Sequence, residues 1–135
     1  MEARFLLDTN ICIYIRQKKP IELLRRFEKL SAGEAAISVI TYGELAYGAE
    51  KSGHRSAALE RLRQLILVLP ALPLPEDAAH VYGKIRCELE SGGEMIGNND
   101  LWIAAHALSS QLILVTNNER EFSRVRGLKL QNWAV

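Results

Sequence analysis

Cysteine is scarce in this sequence. Cys12 and Cys87 are the only two, lie far apart, and belong to no Cys-x-x-Cys or Cys/His cluster, so neither a zinc site nor a redox motif is supported. Both are expected as reduced thiols. No stretch reaches the ~18 unbroken apolar residues of a membrane span. The opening run Phe5-Leu6-Leu7 is too short for a secretory signal and meets Asp8 at once, so the expected location is the cytoplasm. No repeat, low-complexity segment or linker interrupts the chain. The net charge of +1 makes no case for nucleic acid by itself, because binding needs a local basic surface rather than a basic total.

What remains is the composition of an ordinary globular protein. The 135 residues suit one domain spanning 1–135, with 48% apolar and 24% charged residues. Basic residues cluster locally at Arg16, Lys18 and Lys19, at Arg25, Arg26 and Lys29, and at Arg120, Arg124, Arg126 and Lys129. Taken singly, each cluster reads most simply as a solvated helix face.

Apolar periodicity alternates between two signals. Phe5-Leu6-Leu7 reads as a strand, and Asp8-Thr9-Asn10 can cap a following helix. Ile21 to Leu30 has helical spacing, and Ala35 to Ile40 is an apolar and β-branched run of strand length. Thr41-Tyr42-Gly43-Glu44 opens a helix to about Lys51, Ala57 to about Leu65 is another, and Leu65 to Leu69 leads into a proline-rich stretch as strand plus loop. Glu76 to Glu90 carries Ala78, Val81, Tyr82, Ile85 and Leu89 on one stripe. Asn98-Asn99 can cap a helix whose residues Leu101 to Leu108 are apolar on almost every side. Leu112 to Val115 is a buried strand, a short helix starts near Glu119, and Leu128 to Trp133 is a last strand. Strands that read as apolar runs between helices indicate a three-layer α/β fold with a central, mainly parallel sheet.

In such sheets ligands bind at the strands' carboxyl ends. Asp8 follows the first strand, Glu44 begins the helix after the second, Asp100 lies in the first turn of the buried helix, and Glu119 and Glu121 follow a late strand. Each has a local explanation: Asp8 and Asp100 favour helix starts, and Thr41 to Glu44 fits a capping box. Capping does not explain why acids, rather than Ser, Thr or Asn, recur at the same end of successive strands. Clustered carboxylates repel one another unless a cation neutralises them, and oxygen-only ligands select Mg²⁺ or Mn²⁺. One such ion, or two, can activate water and neutralise developing charge on a phosphodiester, which makes metal-assisted hydrolysis the reaction class.

Four segments in order, Leu6-Leu7-Asp8-Thr9-Asn10, Thr41-Tyr42-Gly43-Glu44-Leu45 with Tyr47-Gly48 after it, Asn99-Asp100-Leu101-Trp102-Ile103-Ala104-Ala105-His106-Ala107, and Leu114-Val115-Thr116-Asn117-Asn118 with Glu121-Phe122, resemble the signature segments of PIN-domain ribonucleases. The likeness is to the VapC-type toxins of bacterial toxin-antitoxin pairs in particular, and it covers essentially the whole chain. It implies that Asp8, Glu44 and Asp100 bind the metal and that Glu121, rather than Glu119, is the fourth acid. Many PIN domains have an aspartate where this chain has Asn118, which can offer only an amide or an outer contact. Thr9, Asn10 and Thr116 are similar to residues that orient ligands and water. The resemblance further implies an RNA substrate, a tRNA and specifically the anticodon stem-loop of the initiator tRNA. It implies a VapB-type antitoxin whose C-terminal segment covers the site, a homodimer, and a phosphate-binding rim from Arg16, Lys18, Arg120 and Arg124.

His106, without a Cys or His neighbour, reads as a packed histidine, and Trp102 as core or interface rather than a base-stacking residue. A haloacid-dehalogenase-like phosphatase would need a second Asp at position 10, which is Asn10. A receiver-type signalling domain would need a Lys where Thr116 and Asn117 stand. The competing function is a PIN-like module that binds RNA or protein without cutting, suggested by Asn118.

Overall fold

Phe5, Leu6 and Leu7 form β1 (Phe5–Leu7) and are all buried, because this strand lies at the centre of the sheet with helices on both sides. In the computed structural model, which describes residues 2–135, Phe5 and Leu7 pack into one core and Leu6 into the other. Successive side chains point to opposite faces of a strand, so a strand covered on both faces must be apolar at every position. The same holds for β2 (Ala35–Ser38), whose four residues are all buried.

The first core receives α1 (Thr9–Gln17), α2 (Ile21–Glu28), α3 (Val39–Glu50) and α4 (Arg55–Val68) through Ile11, Ile15, Leu23, Leu45, Leu62 and Leu65. The second receives α5 (Ala78–Ser91), α6 (Asn98–Ser109) and the short α7 (Glu119–Phe122) through Ile85, Leu89, Leu101, Ile103 and Phe122. With β3 (Ala71–Leu72), β4 (Ile113–Val115) and β5 (Leu130–Gln131) the sheet has the order β3-β2-β1-β4-β5, and every pairing is parallel. The chain winds outward from β1 through β2 to β3, then returns to the other side of β1. Connections leaving β1 and β4 therefore diverge, and the gap between them at the carboxyl end is the switch point at which open α/β sheets bind ligands.

The three-layer α/β/α arrangement with a parallel centre is as expected from the alternation of runs, but several boundaries differ. The run Ala35 to Ile40 is not one strand. It ends at Ser38, whose Oγ accepts from the Ile40 N–H at 3.1 Å and caps α3, so Val39 and Ile40 are already helical. Thr41 is consequently inside the first turn rather than at the cap, and the capping box with Glu44 does not form. Leu65 to Leu69 is the end of α4 rather than a strand, with Leu67 and Val68 exposed. Gly97, not Asn98 or Asn99, occupies the cap position of α6. The last strand is only Leu130–Gln131; Trp133 instead turns inward, edge-on to Phe5 at 5.1 Å.

The shift of the α3 cap leaves a mark. The Thr41 hydroxyl is buried and, among the described residues, has no hydrogen-bond partner. An unsatisfied buried hydroxyl is destabilising relative to a methyl group of the same shape. Thr41→Val is therefore expected to leave stability unchanged or raise it by about 1 kcal/mol, read as the midpoint of urea unfolding. A fall of that size would mean that the hydroxyl has a partner.

Candidate active site

Asp8 is the innermost of the acids, only 5% exposed. It directly follows β1 and caps α1, its Oδ1 accepting from the Ile11 N–H at 3.0 Å, while Oδ2 accepts from the Thr116 hydroxyl at 2.5 Å. Thr116 is the first residue after β4, so this contact ties together the carboxyl ends of the two strands flanking the switch point. The same Thr116 oxygen accepts from the Asn118 N–H at 2.9 Å and shapes the turn into α7. Burial pushes the Asp8 carboxyl above its ordinary range, the bonds from Thr116 and Ile11 work against that, and the nearby charge of Glu44 adds to it.

Glu44 reaches the same place from the second turn of α3. Its Oε1 accepts from the Thr9 hydroxyl at 2.6 Å and its Oε2 from the Asn99 amide at 3.4 Å. Asp100 enters from the first turn of α6, where the helix dipole favours an acid. Its carboxyl is nevertheless pushed up to about 6, first by burial and then by Glu121, Glu44 and Asp8. Burial, with the repulsion added, outweighs the dipole. None of the ion pairs among the described residues involves these acids, so no basic side chain offsets their charge.

The two late acids part company. Glu121 stands against Asp100 and accepts from the Asn118 amide at 2.6 Å, so Asn118 holds an acid rather than supplying one. Glu119 is exposed and turned to the C-terminal segment, accepting from the Asn132 amide at 3.0 Å. Asp8, Thr9, Asn10, Glu44, Asp100 and Asn118 surround a crevice of about 150 Å³ floored by Phe122. The basic residues do not converge on it. Arg16 and Lys18 lie at the far end of α1, about 12 Å along the axis from Asp8. Arg120 is exposed on α7, and Arg124 donates to the Met95 carbonyl at 3.0 Å.

Asn99 was not singled out from the sequence as more than a cap, and its contact with Glu44 depends on how α3 and α6 pack. Ser38 likewise contributes beyond its cap, since its Oγ lies 2.8 Å from His106 Nδ1. That histidine is buried and its pKa is lowered by burial, in keeping with a packed side chain joining α3 to α6.

The donors around the crevice are all oxygens, and the unbalanced charge that raises Asp8 and Asp100 is what a divalent cation would relieve. As placed, no three acids among the described residues close on a single point. Mg²⁺ and Mn²⁺ keep several waters when bound, so spaced carboxylates such as Asp8, Glu44 and Asp100 can share such an ion partly through those waters. The residues fit such an ion.

A doubly wound parallel sheet with acids gathered at its switch point is the class this chain represents. The PIN domain matches residues 5–128, and the chain belongs to that family. It is 46% identical over 131 residues to Ribonuclease VapC2 of Haemophilus influenzae, covering 96% of this chain and 98% of the relative. It is 43% identical to the tRNA(fMet)-specific endonuclease VapC of Shigella flexneri, over 97% of this chain and 98% of the relative. The fold recurs in a chain of DNA-bound VapBC from Salmonella typhimurium, with a TM-score of 0.91 and 41% identity over 97% and 98% of the two chains.

A carboxyl whose pKa is raised on folding binds its proton more tightly in the folded state, so it favours folding when protonated and opposes it once ionised. Asp100, at about 6 against an ordinary 3.8, therefore weakens the metal-free protein as pH rises through that interval. About two units correspond to at most ~3 kcal/mol, which solvent screening of a half-exposed group reduces to about 1 kcal/mol. In EDTA, Asp100→Asn is expected to raise stability by about 1 kcal/mol at about pH 8 and hardly at all at about pH 4. Urea titrations at the two pH values check this; no gain at the higher pH would mean that neither burial nor the neighbouring acids disfavour the charged Asp100.

Proposed function

We propose that this protein is a divalent-metal-dependent endoribonuclease, the toxin of a toxin-antitoxin pair. The observation that carries the reading is the set of four uncompensated acids at the sheet's switch point, Asp8, Glu44, Asp100 and Glu121. The relatives named ribonuclease and tRNA(fMet)-specific endonuclease support RNA as the substrate, with initiator tRNA as its particular form. The VapBC complexes among similar structures support a VapB-type antitoxin as partner. A homodimer acting in the cytoplasm to arrest translation completes the proposal.

In this reading Asp8, Glu44 and Asp100 hold Mg²⁺ or Mn²⁺, and Glu121 completes the site or a weaker second one. The bound ion supplies Lewis-acid stabilisation of charge on the phosphate and lowers the pKa of water. Thr116 and the α1 backbone each bond one oxygen of Asp8 and so fix its carboxylate in the wall of the crevice. Thr9 and Asn99 orient Glu44 in the same way, and Asn118 aims Glu121. Asn10 lines the mouth. Arg16, Lys18, Arg120 and Arg124 make the outer, phosphate-contacting rim.

Incubation of antitoxin-free protein with total bacterial RNA and Mg²⁺ or Mn²⁺, with fragment ends mapped by sequencing, tests the proposal. Discrete cuts are expected, abolished by EDTA and reduced at least about a hundredfold by Asp8→Asn or Asp100→Asn, since even residues that only orient metal ligands are worth about 10- to 100-fold. Intact RNA at high concentrations of folded protein would favour a binding module without catalysis. Glu121→Gln is expected to raise the metal concentration needed for cleavage and Glu119→Gln to leave it unchanged; the reverse result would exchange their roles.

A further inference from the structure

Next to the carboxylate crevice, and sharing Thr9 and Glu44 with it, lies a larger open cleft of about 730 Å³. Val39, Ile40, Gly43 and Tyr47 of α3 form most of its wall, and Asn99 closes the end nearest the acids. Two glycines and a tyrosine of α3 stand out, and of these Gly43 and Tyr47 line the cleft. Gly43 and Gly48 both lie in the helix interior, where glycine is less favourable than alanine. Yet a Cβ at either position would meet nothing within 4 Å, so neither glycine makes room for a neighbouring part of the protein. Tyr47, one turn beyond Gly43, is 66% exposed and is the one exposed aromatic residue among the described residues. One turn further on, the Lys51 ammonium stands 4.7 Å from the Tyr47 ring centroid.

We propose that this cleft is a nucleobase subsite, in which a base next to the scissile phosphate lies over the bare backbone at Gly43 and stacks on Tyr47. The inference rests on the ribonuclease reading above. A phosphodiester presented to Asp8, Glu44 and Asp100 must send one of its flanking nucleosides to the side, and the cleft opens directly from Glu44. A flat, largely apolar slot ending in an aromatic ring suits a planar base, and single-stranded RNA is commonly held by such stacking. The Lys51 ammonium lies over one face of the ring, so the base stacks on the opposite face and Lys51 is left to meet the backbone phosphate. The Asn99 amide, exposed and only loosely bonded to Glu44 at 3.4 Å, is available to a base edge. A protein segment would cover Val39 and Ile40 equally well, but continuity with the acids through Glu44 favours the substrate.

The test uses an oligoribonucleotide spanning a cut made by the wild-type protein, together with versions bearing an abasic residue at each position flanking that cut. Tyr47→Ala is expected to raise KM about tenfold with little change in kcat, within the range of base-aromatic stacking, while Tyr47→Phe stays near wild type. Gly43→Leu, whose Cβ meets no atom within 4 Å and whose side chain extends into the slot, is expected to raise KM likewise, with thermal melts confirming the fold of each variant. One abasic substitution should weaken wild type by the same factor and remove the difference between wild type and Tyr47→Ala. An unchanged KM in Tyr47→Ala and Gly43→Leu overturns the subsite, as does a penalty that persists in full on every abasic RNA. Unchanged cleavage with lost binding of a purified protein partner assigns the cleft to that partner and also overturns it. If wild type cuts no RNA, the ribonuclease reading itself falls and the subsite with it; cutting that ignores Tyr47 removes the subsite alone.

Discussion

The hydrogen bond from Thr116 to Asp8 is the constraint on which the rest of the site depends. In a doubly wound sheet the connections that leave the two strands at the switch point run in opposite directions, and past the last ladder bond, from the Asp8 N–H to the Val115 carbonyl at 3.0 Å, no backbone hydrogen bond among the described residues joins the departing segments. Thr116 does so with one hydroxyl, donating to Asp8 and accepting from the Asn118 N–H. Asp8 spends its other oxygen on the α1 cap. One residue thus starts a helix, ties the segment after β4 to the end of β1, and lines the crevice. The position of Glu121 follows at one remove, because the turn that Thr116 shapes carries the Asn118 amide that holds it.

Around that fixed point the electrostatics oppose the fold. Burial and mutual repulsion both disfavour the charged forms of Asp8 and Asp100, and the basic residues nearby are engaged elsewhere or face solvent. Three of the acids are restrained by neutral donors, Thr116, Thr9, Asn99 and Asn118, which fix geometry without cancelling charge. A site built for packing alone would place Arg or Lys there, since removing charge is what a structural role requires. Neutral restraint keeps the negative potential available to a cation that comes from outside.

Asp8 and Asp100 are legible in the sequence because their placement is local: each follows a short apolar or glycine-bounded signal by a fixed number of residues. Glu44 is legible as a candidate, but for a partly mistaken reason. The pattern at Thr41 to Glu44 mimics a capping box, and the real cap, Ser38, is concealed in an apolar run that a strand and a helix start share. The same ambiguity turned Leu65 to Leu69 into a strand, since short apolar runs do not distinguish the end of a helix from a buried strand. Separating Glu121 from Glu119 needs tertiary information. Asn132 draws one acid to the C-terminal segment and Asn118 turns the other inward, and neither contact follows from the spacing of the two residues. The contacts of Asn99 and Ser38 are hidden likewise, because their partners, Glu44 and His106, lie 55 and 68 positions away in the chain.

Long separation has a consequence for synthesis. Asp8 and Thr116 are 108 residues apart, and the central strand β1 gains its second neighbour only when β4 has formed. A chain emerging from the ribosome can pair β1 with β2 early, but it holds only one wall of the crevice until nearly all of its length is outside. Contacts between distant segments form late, after the intervening chain has been ordered. A truncated or unfinished product therefore carries Asp8, Glu44 and even Asp100 without the clamp that sets them, and whatever the finished site does to its surroundings begins only on completion of the polypeptide.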